Sequence, residues 1–488
     1  MSNNFLNNND FTEFTKKYSI DKLEDNIKKY IAKAKTKVID ILMTDYKMGN
    51  ETAIEVEKSI STMAKSEMME KYRFKEPLGT PDEIDQEHDP YILLTSIYPD
   101  FIDWMFTALM VPSYQSLGDT IGYKNGEWEF NHGEINVKPE YTNELIYEFI
   151  SLGGINDLSI VHWKASDDTI LYMATLNVLS NQITDVNEFG TKLRLAYLDA
   201  IPIMANRHPG ITTLDSLDIQ KNRKWDDLPY SSRHVGSGAS MRSGCIGIFF
   251  PGKHNRKKLI ALAVECSRIT HNSAIAILGS IVSALFTAYA LERVPINHWP
   301  HKLLNLLKSK KIDNYMEKSR PHEYKSYVRD KGLFIGQWEH YINIRFSGLH
   351  PKTDLKFMKN PVMRFEYLSN NFSKSNLEFP GSNGDDSVIM AYDALLESGN
   401  VIEKLIVYSI LHPGDSDTVG SIALSWFGAY YQSSRNIDLL GDRFADLEFR
   451  EQLNDISGKN MIRMTKVYYY DIYLSTIRKY FRKLKKKK

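Results

Sequence analysis

The 488-residue chain has only two cysteines, Cys245 and Cys266, and no excess of either charge, since 61 basic residues balance 61 acidic ones. Two cysteines cannot form a disulfide framework, so we expect a reducing, cytoplasmic compartment. Balanced charge excludes a global field that would draw the chain to nucleic acid. The N-terminus has no basic region followed by an apolar core, so no secretory signal is expected.

Charge is also missing from residues 273–291, SAIAILGSIVSALFTAYAL. By length alone this run could cross a bilayer. Its content of Ala, Ser and Gly, its lack of flanking aromatic belts and the absence of a second such run favour a helix buried on all sides of a globular protein. We therefore expect no membrane span.

Composition divides the chain into three parts. Residues 1–90 hold two amphipathic helical segments and a linker of prolines, glycine and acids; residues 91–460 are mostly helical; residues 461–488 form a basic helix and lysine tail. No steady alternation predicts a large sheet, although residues 122–137 resemble a hairpin with short strands. The fold class is therefore all-α, with a separate N-terminal extension. The tail is interpreted as a solubilising end, with a localisation or polyanion-binding patch as the alternative.

Two acidic turns carry the chemistry. In each turn, carboxylates and a hydroxyl lie at the start of a predicted helix, and the N-terminus of a helix favours negative charge. Capping a helix needs one acid, so the second acid in each turn points to a shared cation. An all-oxygen set suits Mg²⁺ or Mn²⁺ and two such ions could share it, whereas zinc prefers His and Cys. The candidate ligands, in ASDDT and GDSDT, are Ser166, Asp167, Asp168, Asp415, Asp417 and Thr418.

Two further motifs accompany the acidic turns. In GDTIGYKNGEWEF, Asp119 is interpreted as the N-cap of its own helix, and Glu129 is a further carboxylate between two aromatic residues. In HVGSGASMRSG, residues 234–244, small residues let backbone amides approach a ligand, which is typical of a phosphate-binding loop. The motif is neither a Walker loop nor a dinucleotide fingerprint.

The letters DSDTV also fit the motif of haloacid-dehalogenase-type aspartyl phosphotransferases. The preceding LHPG does not end a clean strand, and little chain follows the motif, so the context disfavours that reading. A bare DxD could hold the metal of a nucleotide sugar, but ASDDT would then have no role.

Taken together, the motifs resemble the ADP-ribosylglycohydrolase family. SDDT, GDSDTVGSIA, GDxxG and GASMR resemble the family in general, over roughly residues 98–455. GYKNGEWEF, SGASMRSGCIGIFF, SRITH with LGSIVSALFTAYAL, and DDSVIMAYDALL resemble the ADP-ribosylarginine hydrolases within it. The chain has Thr-Ile in GDTIG where Ala-Leu is more usual, and a charged segment, LDSLDIQKNRKWDDLPYSSRH, that would reshape the entrance.

The resemblance implies a compact helical bundle that holds two Mg²⁺ in a cleft and cleaves the N-glycosidic bond between ADP-ribose and arginine. It implies metal ligation by both acidic turns and catalytic roles for Asp167, Asp168 and Glu129, the last on a mobile loop. It also implies that ADP-ribose is bound by Gly236, Ser237, Gly238, Ala239, Ser240, Met241, Ser382 and Asp386.

Other functions stay open at this point. The same site would serve ADP-ribosylserine or O-acetyl-ADP-ribose as substrate, although the WEF and SRITH segments argue against both. A catalytically inactive ADP-ribose-binding protein is a further alternative, against which the four intact aspartates argue. The implied partners are an ADP-ribosylated protein and the product ADP-ribose, and we expect a monomer.

Overall fold

The computed structural model describes residues 36, 39–40, 42–44, 49–58, 99–130, 137–181, 183–373, 379–431 and 434–459. Contacts divide the chain into two compact units, Met1–Leu109 with Gly458–Lys488, and Met110–Ser457. In the first unit, residues 50–58 and 99–109 are helical. The predicted boundaries near residues 90 and 460 stay predictions, because the linker, most of the N-terminal segments and the lysine tail lie outside the described residues.

Helices make up nearly all of the regular structure in the described residues. The first nine are α1 (Pro99–Tyr123), α2 (Tyr141–Ser151), α3 (Gly154–Asp157), α4 (Asp167–Ser180), α5 (Val186–Met204), α6 (Ile211–Gln220), α7 (Ser240–Phe249), α8 (Arg256–Arg268) and α9 (Ala274–Leu291). They continue with α10 (Trp299–Lys308), α11 (Lys310–Ser319), α12 (Tyr324–Arg345), α13 (Pro361–Phe372), α14 (Asp386–Ser398), α15 (Ile402–Ser409), α16 (Ser416–Tyr431) and α17 (Ser434–Ala445), and residues 450–459 are helical as well. Two short antiparallel strands, β1 (Phe346–Ser347) and β2 (His350–Pro351), pair with each other. The all-α prediction is confirmed.

The predicted hairpin at residues 122–137 is wrong in the part that the structure describes. Helix α1 runs to Tyr123, a 3-10 turn covers Lys124–Gly126, and residues 131–136 lie outside the described residues. The physical reason is Trp128, which is fully buried and packs edge-on against Phe149 and Trp163. Trp128 therefore anchors this segment to α2 and to the loop before α4 instead of lying on one face of a strand.

Helix α9 forms the centre of the second unit. Every residue of it is buried, and the Ser273 hydroxyl caps it by accepting a hydrogen bond from the backbone N–H of Ala276. Phe286 of α9 contacts the rings of Trp299, Trp338, Tyr392 and Trp426. Among the described residues this is the one helix long and apolar enough to cross a membrane, and here protein surrounds it.

Helices α1 and α16 touch through glycines. A Cβ on Gly118 would lie 2.4 Å from the carbonyl oxygen of Gly420, and one on Gly122 would lie 2.5 Å from that of Ser416. Helix α1 continues through these residues, so Asp119 lies inside it and is not its N-cap. The glycines serve close helix approach, and they place Asp119 beside the start of α16.

Candidate active site

The first acidic turn opens α4, as the sequence predicts. The Ser166 hydroxyl accepts a hydrogen bond from the backbone N–H of Asp168 at 3.1 Å, which makes Ser166 the N-cap. Asp167 and Asp168 occupy the first turn and are 6% and 2% exposed. Capping uses one lone pair of the Ser166 hydroxyl, so its second lone pair and both carboxylates can take other partners.

Asp119 has a different role from the one predicted. It lies inside α1, fully buried, and caps the neighbouring helix instead of its own. Its carboxylate accepts from the backbone N–H of Ser166 at 3.1 and 3.2 Å and from that of Thr169 at 3.0 Å. Asp119 therefore fixes the start of α4 and adds a carboxylate to the site that the sequence reasoning did not include.

The second acidic turn opens α16 and meets the first one. The hydroxyl of Ser421 donates to Asp168 Oδ2 at 3.0 Å, and that of Thr418 lies 3.5 Å from Asp168 Oδ1. The backbone N–H of Thr418 donates to Asp417 Oδ1 at 2.8 Å and to Asp415 Oδ1 at 3.3 Å. Two turns some 250 residues apart in the chain are thus brought into one buried cluster.

Glu129 completes this acidic cluster. Oxygen atoms of Glu129, Asp415 and Asp417 lie within 4.8 Å of one another, close enough to share a metal ion. The Glu129 Oε2 atom is buried and accepts no hydrogen bond; the nearest basic atom is Nδ1 of the largely exposed His208, at 3.4 Å. The segment is held by the backbone N–H of Phe130, which donates to the carbonyl of Gly414 at 3.1 Å.

The cluster is electrostatically unfavourable without a cation. Burial, followed by repulsion from the Asp417 carboxylate, raises the pKa of Asp119 to about 7. The same two causes raise the pKa of four other carboxyl groups well above their usual range, those of Glu129, Asp167, Asp168 and Asp415. Buried like charges at this spacing, with the Glu129 Oε2 atom unbonded, are the environment in which a hard divalent ion is favourable. The oxygen-only residues therefore fit Mg²⁺, and which of them ligate it stays a prediction.

The predicted phosphate-binding loop lies beside the acidic cluster. The Ser237 hydroxyl donates to Asp415 Oδ2 at 3.2 Å, which joins the loop to the second acidic turn. Gly236 retains some exposure, whereas Ala239 and Ser240 are fully buried where α7 begins and Met241 is 4% exposed. The loop reaches the cluster through Ser237, the first residue of the 3-10 turn Ser237–Ala239 that precedes α7.

Residues 379–386 lie against both the phosphate-binding loop and the second acidic turn. The backbone N–H of Ser237 donates to the Ser382 carbonyl at 2.7 Å, and that of Asp415 donates to the Pro380 carbonyl at 2.8 Å. Asp386 is fully buried, and its carboxylate accepts from the backbone N–H groups of Gly381 and Asn383 at 3.0 and 2.9 Å. Asp386 thus shapes this loop, while a direct contact of Ser382 or Asp386 with ADP-ribose stays a prediction.

Comparison with known proteins places this geometry in context. The profile of the ADP-ribosylglycohydrolase family matches residues 115–465. A protein of Acanthamoeba polyphaga mimivirus, whose name assigns it provisionally to the ADP-ribosyl glycohydrolases, is 51% identical over 92% of this chain and 87% of its own length. The ADP-ribosylhydrolase ARH1 of Dictyostelium discoideum is 36% identical over 65% of this chain and 84% of its own length.

Among solved structures, one titled an ADP-ribosylglycohydrolase-related protein complex is similar to 75% of this chain and 99% of its own chain. The two are 18% identical, with a TM-score of 0.46.

Proposed function

The chain belongs to the ADP-ribosylglycohydrolase family, and we propose that it is a Mg²⁺-dependent hydrolase that releases ADP-ribose from arginine residues of modified proteins. The single observation that supports this most is the meeting of ASDDT, GDSDT and Glu129 in one buried carboxylate cluster. The name of the Dictyostelium relative supports hydrolysis of an ADP-ribose linkage. The arginine linkage rests on the motifs that resemble ADP-ribosylarginine hydrolases.

We propose that two Mg²⁺ ions would be held by Ser166, Asp167, Asp168, Asp415, Asp417 and Thr418, as predicted from the sequence. Ions bound there would act as Lewis acids and orient the hydroxyls of the ribose. Asp119 is assigned a supporting role, because both of its oxygens already accept backbone hydrogen bonds. Glu129 is a further candidate ligand, because its oxygen lies within ligand-sharing distance of Asp415 and Asp417.

The reaction requires water to form a C–O bond at the anomeric carbon while the C–N bond to the guanidinium breaks. Glycosidic carbons pass through a state with oxocarbenium character, so a base that takes the water proton and returns a proton to the departing nitrogen lowers the barrier. Asp167 and Asp168 are assigned to this proton transfer, because both carboxylates lie in the first turn of α4, at the cluster where the ribose and the water would be bound. Glu129 is assigned to the guanidinium, a cation that carboxylates bind well.

The rest of the ligand would lie along the two glycine-containing loops. The Ser237 hydroxyl, in the 3-10 turn Ser237–Ala239, donates to Asp415, so a diphosphate bound at this turn would lie next to a ribose held at the acidic cluster. The Ser382 carbonyl fixes this turn through the N–H of Ser237. We further propose a cytoplasmic monomer, in line with the two buried free thiols.

Substitution of single acids tests the proposal. Asp167→Ala and Asp415→Asn are each expected to abolish Mg²⁺-dependent release of ADP-ribose from an arginine-modified protein while the circular dichroism spectrum stays helical. Asp185→Asn is the matched control: Asp185 also caps a helix, by accepting the N–H of Glu188 at 2.8 Å, and asparagine caps equally well. Full activity in both site variants would refute the proposal.

A further inference from the structure

The residue before the first acidic turn is held by an ion pair from two distant parts of the chain. The backbone N–H of Ala165 donates to Glu448 Oε2 at 3.0 Å, and the Ala165 carbonyl accepts from Arg207 Nη1 at 2.6 Å. Arg207 and Glu448 bind each other through two hydrogen bonds of 2.7 Å. Both backbone polar groups of one residue, Ala165, are therefore fixed by one bidentate pair, the strong form of an ion pair.

Arg207 lies in a stretch of backbone with unusual dihedral angles. The residues on either side of it, Asn206 and His208, have φ values of 62° and 53°, a left-handed conformation that costs energy outside glycine. The Arg207 guanidinium also lies 5.5 Å from the ring centre of Phe449, next to Glu448. His208 Nδ1 lies 3.4 Å from Glu129 Oε2. Backbone strain is thus tolerated where two neighbouring side chains reach the site.

The other backbone groups of this stretch are fixed as well. The N–H of Lys164 donates to Asn125 Oδ1 at 2.8 Å, and the N–H of Ser166 donates to Asp119. Without the Arg207–Glu448 pair, the N–H of Ala165 would lose its hydrogen-bond partner, whereas the N–H groups of Lys164 and Ser166 would keep theirs. The pair therefore closes a set of bonds that determines where Asp167 and Asp168 point.

We propose that Arg207 and Glu448 are positioning residues that set the Mg²⁺ affinity of the site by fixing the turn that carries Asp167 and Asp168. Neither side chain reaches the substrate; both act through the backbone of Ala165. The inference rests on the proposed function, because it assumes that this turn binds the metal. Groups that orient metal ligands from behind change metal affinity or activity by about 10- to 100-fold when they are removed.

Two variants of the full-length chain test this role. Glu448→Ala removes the acceptor of the Ala165 N–H, and Arg207→Lys keeps the charge but cannot donate to Ala165 and both Glu448 oxygens together. Each is expected to raise the Mg²⁺ concentration for half-maximal turnover, by about 10-fold or more for Glu448→Ala, with little change in the KM for the modified protein. Each should also shift the Mg²⁺ dependence of the melting temperature to higher concentration.

Glu292 provides a matched control. Like Glu448, it accepts from an arginine, Arg256 at 2.7 Å, and from one backbone N–H, that of Gly252 at 2.6 Å; its side chain is 14% exposed, against 29% for Glu448. Glu292→Ala is expected to lower the melting temperature without changing the Mg²⁺ requirement. A shift in Glu448→Ala that Glu292→Ala reproduces would mean a general loss of stability and would overturn the proposal.

The Mg²⁺ titration of the melting temperature separates this proposal from the proposed function. A folded Glu448→Ala with wild-type Mg²⁺ dependence in both readouts would overturn the positioning role. If Glu448→Ala does not fold, a wild-type Mg²⁺ dependence of both turnover and melting temperature in Arg207→Lys would overturn the positioning role. A wild type that binds Mg²⁺ but releases no ADP-ribose, with Mg²⁺ binding weakened in the variants, would support the positioning role and refute the hydrolase.

Discussion

At the scale of single residues, the site is defined by carboxylates whose partners differ. Asp119 uses its oxygens on two backbone N–H groups, Asp168 accepts from the hydroxyl of Ser421, and Glu129 leaves one buried oxygen without a hydrogen bond. A buried carboxylate oxygen without a hydrogen bond destabilises the fold, so such a group is retained for a reason other than stability. Glu129 is accordingly the residue whose replacement should separate activity from stability.

We expect Glu129→Gln to lower turnover by about 100-fold or more, the size of a lost acid–base or charge-stabilising group. The melting temperature in the presence of chelator should stay equal or rise, because the amide removes one charge from a group of buried acids. Parallel kinetics and thermal denaturation check this. A variant with wild-type turnover, or one that melts well below the wild type in chelator, would show that Glu129 has a structural role instead.

At the scale of elements, helix packing brings the acids together. The glycines of GDTIG let α1 lie against α16. Asp119 therefore reaches the N-terminus of α4, and Asp417, close enough to Asp119 to repel its carboxylate, lies in the same cluster. Gly381, with φ at 91°, turns the next loop back so that a Cβ on it would lie 3.3 Å from the Cβ of Asp415. The geometry of the site therefore depends on backbone contacts that side chains would block.

We expect Gly118→Ala and Gly122→Ala each to destabilise the protein by about 1–3 kcal/mol, because overpacking forces the helices apart, and to weaken Mg²⁺-dependent activity. Gly332→Ala, inside α12, is the control: nothing lies within 4 Å of the added methyl group. There alanine should be neutral or stabilise by about 0.5–1 kcal/mol. Urea unfolding measures all three, and wild-type stability in both GDTIG variants would contradict the packing argument.

Element-scale contacts also explain what the sequence could predict. ASDDT and GDSDT are visible because an excess of acids at a helix start is a local pattern, and the mostly helical character of residues 91–460 is also predicted. The role of Asp119 is not visible, because it depends on which helix packs against α1. The pairing of Arg207 with Glu448, 241 residues apart, and the approach of His208 to Glu129 have no local signal at all.

At the scale of the whole molecule, a second buried charge centre lies away from the acidic cluster. Asp393 of α14 accepts from Arg345 at 2.5 Å, from Tyr341 at 2.7 Å and from Arg364, and all four residues are buried. Burial by itself raises the pKa of Asp393, but the two guanidinium groups outweigh it and hold the pKa below its usual range. This centre ties α12, α13 and α14 together and is compensated, unlike the acidic cluster.

We expect Asp393→Asn to destabilise the protein by about 3–5 kcal/mol at neutral pH, because it leaves buried arginines without their counter-charge. Since the folded pKa of Asp393 is depressed, its contribution is fully present above the unfolded value near 4 and is lost as the pH falls through the folded value. The difference from wild type should therefore be constant from pH 7 to pH 5 and shrink at more acidic pH. Urea unfolding across this range checks it; a difference that grew on acidification would contradict the assignment.

The central claim is that the acidic cluster is a Mg²⁺ site at which an ADP-ribose–arginine bond is hydrolysed. The most direct measurement is the release of ADP-ribose from an arginine-ADP-ribosylated protein, with Mg²⁺ and with chelator, alongside a serine-linked substrate. We expect Mg²⁺-dependent release of ADP-ribose from the arginine-linked substrate and little release from the serine-linked one. Release from serine alone, or release from arginine that persists in chelator, would contradict it.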